Sequence, residues 1–192
     1  MNDKIFVITG PSGAGEDSII KGLEEKIDFD KAITTTTRKM RPFESDGNPY
    51  YFISSDEFKD GIAHDKFFEY AEEDRNNYYG VTKEEIERVM NSEKVKIWKI
   101  DYKGALTAKE KLGDRIVIIY ISVLRDQMIG RLEKRAGSTP EFITSRLEYM
   151  KGWEGNKDKW DYEVSNLDGK LELSIAKVQD IILSYNNIVD NL

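Results

Sequence analysis

The opening seventeen residues restrict the fold more than any other part of the chain. Residues 4–9 read KIFVIT, a short apolar run that passes directly into Gly10-Pro11-Ser12-Gly13-Ala14-Gly15, a turn by composition. Beyond it, Ile19, Ile20 and Leu23 recur at helical spacing up to about Lys26. A strand, a glycine-rich loop and a helix in that order open a parallel α/β domain. The order also suits an anion. Glycines let the backbone wrap anionic oxygens, and the helix start adds unsatisfied N–H groups and positive dipole.

The rest of the chain agrees with an α/β core. Residues 95–100 and 115–121 read as strands, the second (RIVIIYI) with the continuous apolar character of a central parallel strand. Residues 162–165 add a short one. Helices are expected over 104–111 and 124–135. Another starts at Thr139-Pro140 and carries Phe142, Ile143, Leu147 and Met150 inward, and a last one carries Leu171, Ile175, Val178, Ile182 and Tyr185. Residues 34–81 differ in character. Short strands are expected over 31–37, 50–53, 67–71 and 76–80, with a polar loop over 38–49. Ser54 with Glu57 and Thr82 with Glu85 form capping-box patterns that open helices. The stretch 34–81 therefore reads as a small, mostly β insertion.

Composition removes several chemistries. The chain has no cysteine, which excludes disulfides, thiolate nucleophiles and Cys-ligated metals. Its one histidine, His64, lies at a polar helix terminus, so multi-histidine metal sites are excluded too. At 192 residues the chain buries enough surface to need no such staples. The longest apolar run, 116–121, is far short of a membrane span. No signal-peptide pattern precedes the first strand, so a cytoplasmic location is expected. A net charge of -7 argues against a general nucleic-acid surface but leaves room for a local arginine cluster.

The glycine loop departs from the phosphate-loop pattern G-x-x-x-x-G-K-[ST] at its last two positions, which hold Glu16 and Asp17. The missing lysine ordinarily carries positive charge to the β/γ-phosphates. Glu16 turns that attraction into repulsion, at about 4 kcal/mol for a unit pair 4 Å apart in an effective dielectric near 20. Asp17 admits two readings, a hard oxygen ligand for Mg²⁺ or ordinary acidic chemistry in a first helical turn. Ser18 does not replace the hydroxyl, since one helical position turns a side chain by about 100°.

Ordered patches further along carry a resemblance. They are GPSGAG at 10–15, TTRKMR at 36–41, DGNPYYF at 46–52, Glu69-Tyr70-Ala71, NYYG at 77–80, Asp101 with Gly104, Arg131 with Arg135, Arg146 and Asn166. With them the chain resembles the guanylate kinase family over nearly its whole length. The resemblance implies a P-loop three-layer α/β core with a central parallel sheet, comprising 1–33 and 82–192. It also implies a small mixed-β, GMP-binding insertion at 34–81 and a helical lid at about 125–155. The implied reaction moves the γ-phosphoryl group of ATP to GMP with Mg²⁺. Implied partners are GMP and ATP, with no nucleic acid or membrane, in a monomer or homodimer.

Residue roles follow from the same resemblance. Arg38 and Arg41 would clamp the GMP phosphate, with Tyr50 and Tyr79 adding hydroxyl donors; arginine and tyrosine chemistry suits an oxyanion. Thr34, Glu69 and Asp101 would hold guanine, whose N1–H and 2-amino group suit a carboxylate, while Val81 stands where the family has a hydroxyl. Gly10, Ser12, Gly13, Ala14, Gly15, Glu16, Asp17 and Asn166 would line the ATP site, with Asp17 at the metal. Arg131, Arg135 and Arg146 would surround the transferring phosphoryl group. Lys99 stands where the family usually has Asp. It either returns the positive charge that Glu16 removes or pairs with Glu16 or Asp17. The expectation is a retained GMP site with impaired ATP-dependent transfer. The alternative is an inactive GMP-binding protein or an interaction scaffold of the same fold.

Overall fold

The computed structural model describes residues 3–73, 77–134 and 138–187. Strand β1 (Ile5–Thr9) is buried along its length and feeds the glycine loop and helix α1 (Glu16–Glu24). The chain then runs through β2 (Phe29–Ala32), β3 (Thr34–Thr36), β4 (Tyr50–Phe52), α2 (Ser55–Ala63), β5 (Phe67–Glu73) and β6 (Asn77–Thr82). It continues with α3 (Lys83–Met90), β7 (Val95–Lys99), α4 (Tyr102–Leu112), β8 (Ile116–Ser122) and α5 (Arg125–Glu133). The last elements are α6 (Pro140–Glu154), β9 (Tyr162–Ser165) and α7 (Leu171–Asn187).

Two sheets form among the described residues. The larger, ordered β2-β7-β1-β8-β9, is parallel throughout. Its strands alternate their side chains between two apolar layers, as a pleated strand must. Phe6 and Ile8 face a layer with Ile19, Leu23, Met128, Leu132, Ile175 and Val178. Ile5 and Val7 face one with Val89, Trp98, Ala105 and Ala108. Helices thus cover both faces of the sheet, as an all-parallel sheet requires. The smaller sheet, β4-β3-β6-β5, is mixed: β3 and β4 are parallel, and β6 pairs antiparallel with β3 and β5. Phe58 of α2 closes one of its faces, stacked at 4.1 Å on Phe67 and 5.4 Å on Tyr78. This is the α/β architecture the sequence leads one to expect.

The chain departs from the expected elements at the passage between sheets. The single strand expected over 31–37 is two strands, β2 in the larger sheet and β3 in the smaller. At the break, the Ile33 N–H donates to Glu85 Oε1 at 2.7 Å. That demand alters the second capping box. Thr82 Oγ1 accepts the Glu85 N–H as expected, but the buried Glu85 carboxylate turns to Ile33 and Arg88 instead of reaching back. The Ser54 box, with no such competitor, is complete.

Helix α6 is fixed by aromatics at its C-terminal end. Trp153 is buried, donates from Nε1 to Thr9 Oγ1 at 3.2 Å and packs on Tyr102 and Tyr149. Among the described residues no helix is long and apolar enough to cross a membrane.

Candidate functional site

The loop between β1 and α1 lies at the carboxyl end of the parallel sheet, where ligands bind in open α/β folds. Gly10 begins it pressed against β8, since a Cβ there would meet the Ile121 carbonyl at 2.7 Å. Ser12 is partly buried in the turn, and the Ala14 N–H donates to the Pro11 carbonyl at 2.9 Å. Gly13 and Gly15 have φ of 87° and 96°, and Gly15 caps α1 with no side chain of its own. Asn166, buried behind the loop, donates from Nδ2 to the Ala14 carbonyl at 2.7 Å. A Cβ on Gly15 would run into that amide nitrogen. Gly15→Ala is therefore expected to cost about 1–3 kcal/mol of stability, from the left-handed backbone and the collision together. Urea denaturation measures it.

Arg131 grips the same loop from α5. Its Nη1 donates to the Gly13 carbonyl at 2.9 Å, its Nη2 to the Asn166 carbonyl at 2.7 Å, and Nε and Nη2 to Asp168 Oδ1 at 2.9 and 2.8 Å. It thus holds the loop by its carbonyl oxygens and takes none of its amide N–H groups. Arg146 lies on α6 with its guanidinium 5.0 Å from the Phe142 ring centre. Arg135 falls outside the described residues.

At the start of α1 the charges are rearranged. Glu16 is half-buried and Asp17 exposed. Burial pushes the Glu16 pKa up to about 7, although the Lys99 ammonium draws it down. Lys99, the last residue of β7, reaches across to Asp17 Oδ1 at 2.6 Å. Burial alone lowers an ammonium pKa, but Tyr50, Asp17 and Glu16 together raise that of Lys99.

The small sheet presents the second cluster. Arg38 extends over the rings of Tyr50 and Phe52, at 5.4 and 5.5 Å, and Tyr50 meets Tyr79 edge-on at 5.9 Å. Strand pairing accounts for this: β3 lies between β4 and β6, with Thr34 beside Tyr50 and Thr36 beside Tyr79. Glu44 occupies the arginine end. Its Oε1 accepts from Arg38 Nη2 at 2.8 Å and its Oε2 from the Arg41 N–H at 2.7 Å. The Arg38 hydrogen bond holds the Glu44 pKa below the usual carboxylate range. Arg38 itself is raised, because Glu44, Tyr79 and Tyr50 outweigh its desolvation. The Arg41 side chain is exposed beside them.

Two carboxylates converge further in. Asp101 caps α4, its Oδ1 accepting from the Gly104 N–H at 2.8 Å and its Oδ2 from the Tyr149 hydroxyl at 2.7 Å. Glu69 reaches the same helix start, since a Cβ on Gly104 would lie 3.2 Å from its Oε2. Val81, paired with Glu69 across β5 and β6, is fully buried.

A family model described as guanylate kinase matches residues 2–185, a span that takes in every one of these clusters. The chain belongs to the guanylate kinase family. A guanylate kinase of Clostridium perfringens (strain 13 / Type A) is 37% identical over 98% of this chain and 86% of its own length. One from Lactococcus lactis subsp. lactis (strain IL1403) is 34% identical over 98% and 91%. A crystal structure of guanylate kinase from Anaplasma phagocytophilum superposes with a TM-score of 0.70 over 94% of this chain and 85% of that one, at 21% identity, which shows the shared fold.

Three contacts in this family member lie outside the sequence reading. Glu44 bridges Arg38 and Arg41, and its place three residues after Arg41 in a polar loop was the available signal. Tyr149 on Asp101 and Asp168 on Arg131 come from 48 and 37 residues away, where no local pattern points to them.

The glycine loop, with two left-handed glycines ahead of a helix N-terminus, fits a polyphosphate. Among the described residues no group of three or more His, Cys, Asp and Glu gathers for a metal. Mg²⁺ is commonly held by one or two carboxylates together with substrate phosphates and water, and the carboxylate of that type at the start of α1, Asp17, has Lys99 Nζ on its Oδ1 at 2.6 Å.

Proposed function

We propose that the chain catalyses phosphoryl transfer from ATP to GMP at a rate reduced by Glu16 and Asp17. The observation that carries this reading is the gathering of Arg38, Tyr50 and Tyr79 at one end of the small sheet, with Glu69 and Asp101 converging on the start of α4. Arginine and two phenols suit a phosphomonoester, and two carboxylates suit the N1–H and 2-amino group of guanine. The acceptor unit in this reading is 34–81, set on a core of 1–33 and 82–192 with a lid at about 125–155.

A phosphate oxygen of GMP attacks the γ-phosphorus, the bond to the bridging oxygen breaks, and ADP leaves. Arg38, Arg41, Tyr50 and Tyr79 hold the attacking phosphate, while Thr34, Glu69 and Asp101 fix the base. Backbone N–H groups of the glycine loop and the start of α1, apart from that of Ala14, which stays on the Pro11 carbonyl, hold the donor phosphates, with Asn166 and Arg131 keeping that loop in shape. Arg146, with Arg135, stabilises charge on the equatorial oxygens. When bound by Asp17 and the phosphates, Mg²⁺ supplies charge neutralisation. Glu44 yields Arg38 to the incoming phosphate, whose two charges compete well with one carboxylate.

Calorimetry with GMP and with Mg·ATP, each alone, tests the reading. Both should bind, and Arg38→Ala should weaken GMP by at least about tenfold, the cost of one charge-assisted contact. The acidic pair at 16 and 17 favours a second reading, a GMP-binding protein without transfer, which GMP binding without ATP binding would support. Binding of neither would point to a scaffold.

A further inference from the structure

The start of α1 carries two carboxylates where a phosphate loop needs a cation, and one ammonium reaches them from another element. Lys99 ends β7, paired in register with Ile8 of β1, and so stands at the carboxyl end of the sheet beside the strand that leads into the loop. Its Nζ lies 2.6 Å from Asp17 Oδ1, and Glu16 and Tyr50 are both within its electrostatic reach. Lys99 thus stands at the donor cradle, on Asp17, and Tyr50 of the acceptor clamp acts on its charge. A group passing from the cradle to the clamp must cross the space between them.

The nearby alternative is already engaged. Arg131 commits its donors to the carbonyls of Gly13 and Asn166 and to Asp168. The Lys99–Asp17 pair, by contrast, is easily exchanged. The Asp17 side chain is 81% exposed against 31% for Lys99, and an ion pair with one partner in water contributes little. A polyphosphate arriving in the loop offers Lys99 more negative charge than Asp17 does.

We propose that Lys99 is the cation that meets the nucleotide's phosphates at this loop, taking the part that position 16 has given up. The inference rests on the reading of the loop as an ATP site. In the free protein Asp17 holds the ammonium at the mouth of the cradle. When the donor binds, the ammonium moves onto its terminal phosphate oxygens, facing the acceptor clamp. The site keeps a cation, delivered from the neighbouring strand.

The test is ATP binding by calorimetry to the full chain and to Lys99→Met, Lys99→Arg and Asp17→Asn, with transfer measured in parallel. K99M should bind ATP at least about tenfold more weakly than the unaltered chain, as expected for loss of one charge-assisted phosphate contact. K99R should stay within about threefold, since it keeps the charge. The loss should persist in the D17N background, where no carboxylate at 17 remains to be neutralised. Equal ATP affinity of K99M and the unaltered chain would overturn the inference while leaving the ATP reading intact. So would a loss that vanishes with D17N, which would make Lys99 a mere counter-charge. An unaltered chain that binds GMP but not ATP removes both the donor reading and this inference. Should K99M fail to fold, Lys99→Gln repeats the comparison with a polar chain of similar reach.

Discussion

The double substitution Glu16→Lys, Asp17→Ser should raise the rate of GDP formation by about two orders of magnitude at pH 8. A unit charge about 4 Å from a phosphate, in an effective dielectric near 20, contributes about 4 kcal/mol, and every 1.4 kcal/mol is about a factor of ten. Two terms set the net gain. The carboxylate ceases to repel the donor, and the introduced ammonium begins to attract it. Against this, Lys99 already brings an ammonium to within 2.6 Å of Asp17, so the introduced charge enters beside an existing cation. The crowding removes part of the gain and is why the expectation stops near a hundredfold. Assaying at pH 8 matters because the Glu16 pKa is pushed up to about 7, and below that value much of its charge is gone. A coupled assay of ADP and GDP production compares the two chains. If the unaltered chain already turns over at the ordinary kinase rate of about 1–100 per second, the obstructive role of Glu16 is wrong.

Local patterns revealed the elements of this fold, and chemistry that acts between distant segments stayed hidden. Apolar runs marked β1 and β8, because a strand covered on both faces by helices needs apolar residues at nearly every position. The glycines of the loop announced its left-handed turns, which Gly13 and Gly15 adopt. The break at Ile33 was illegible. Nothing between 31 and 37 interrupts the extended pattern, and the carboxylate that satisfies the freed N–H comes from Glu85, 52 residues on. The resemblance grouped Arg38, Arg41, Tyr50 and Tyr79, and their chemistry suits an oxyanion, but the proximity of Arg38, Tyr50 and Tyr79 depends on β3 lying between β4 and β6. For Lys99 the sequence left two roles open, because no periodicity relates residue 99 to residue 17. Parallel pairing of β7 with β1 brings them together.

Glu16 should also make the fold less stable as pH rises, and Glu16→Gln should remove that dependence. Desolvation dominates the carboxyl's environment, and the attraction of Lys99 offsets only part of it. The pKa therefore stands at about 7 in the folded chain against an ordinary 4.5, the value expected when the chain unfolds into water. Between those values the folded state holds a proton that the unfolded state has released. Stability accordingly falls as pH rises through this window and reaches its full loss above about pH 7. A gap of this size corresponds to about 3 kcal/mol, and the partial exposure of the side chain brings the expected effect nearer to about 2 kcal/mol. Glutamine keeps the shape and carries no charge. E16Q should therefore match the unaltered chain at about pH 4 and exceed it by about 2 kcal/mol at about pH 8. Urea unfolding of both chains at about pH 4, 6 and 8 measures the difference directly. A difference that stays constant across the three would mean that the carboxyl titrates alike in the folded and unfolded chains, and that burial at the start of α1 does not act on it.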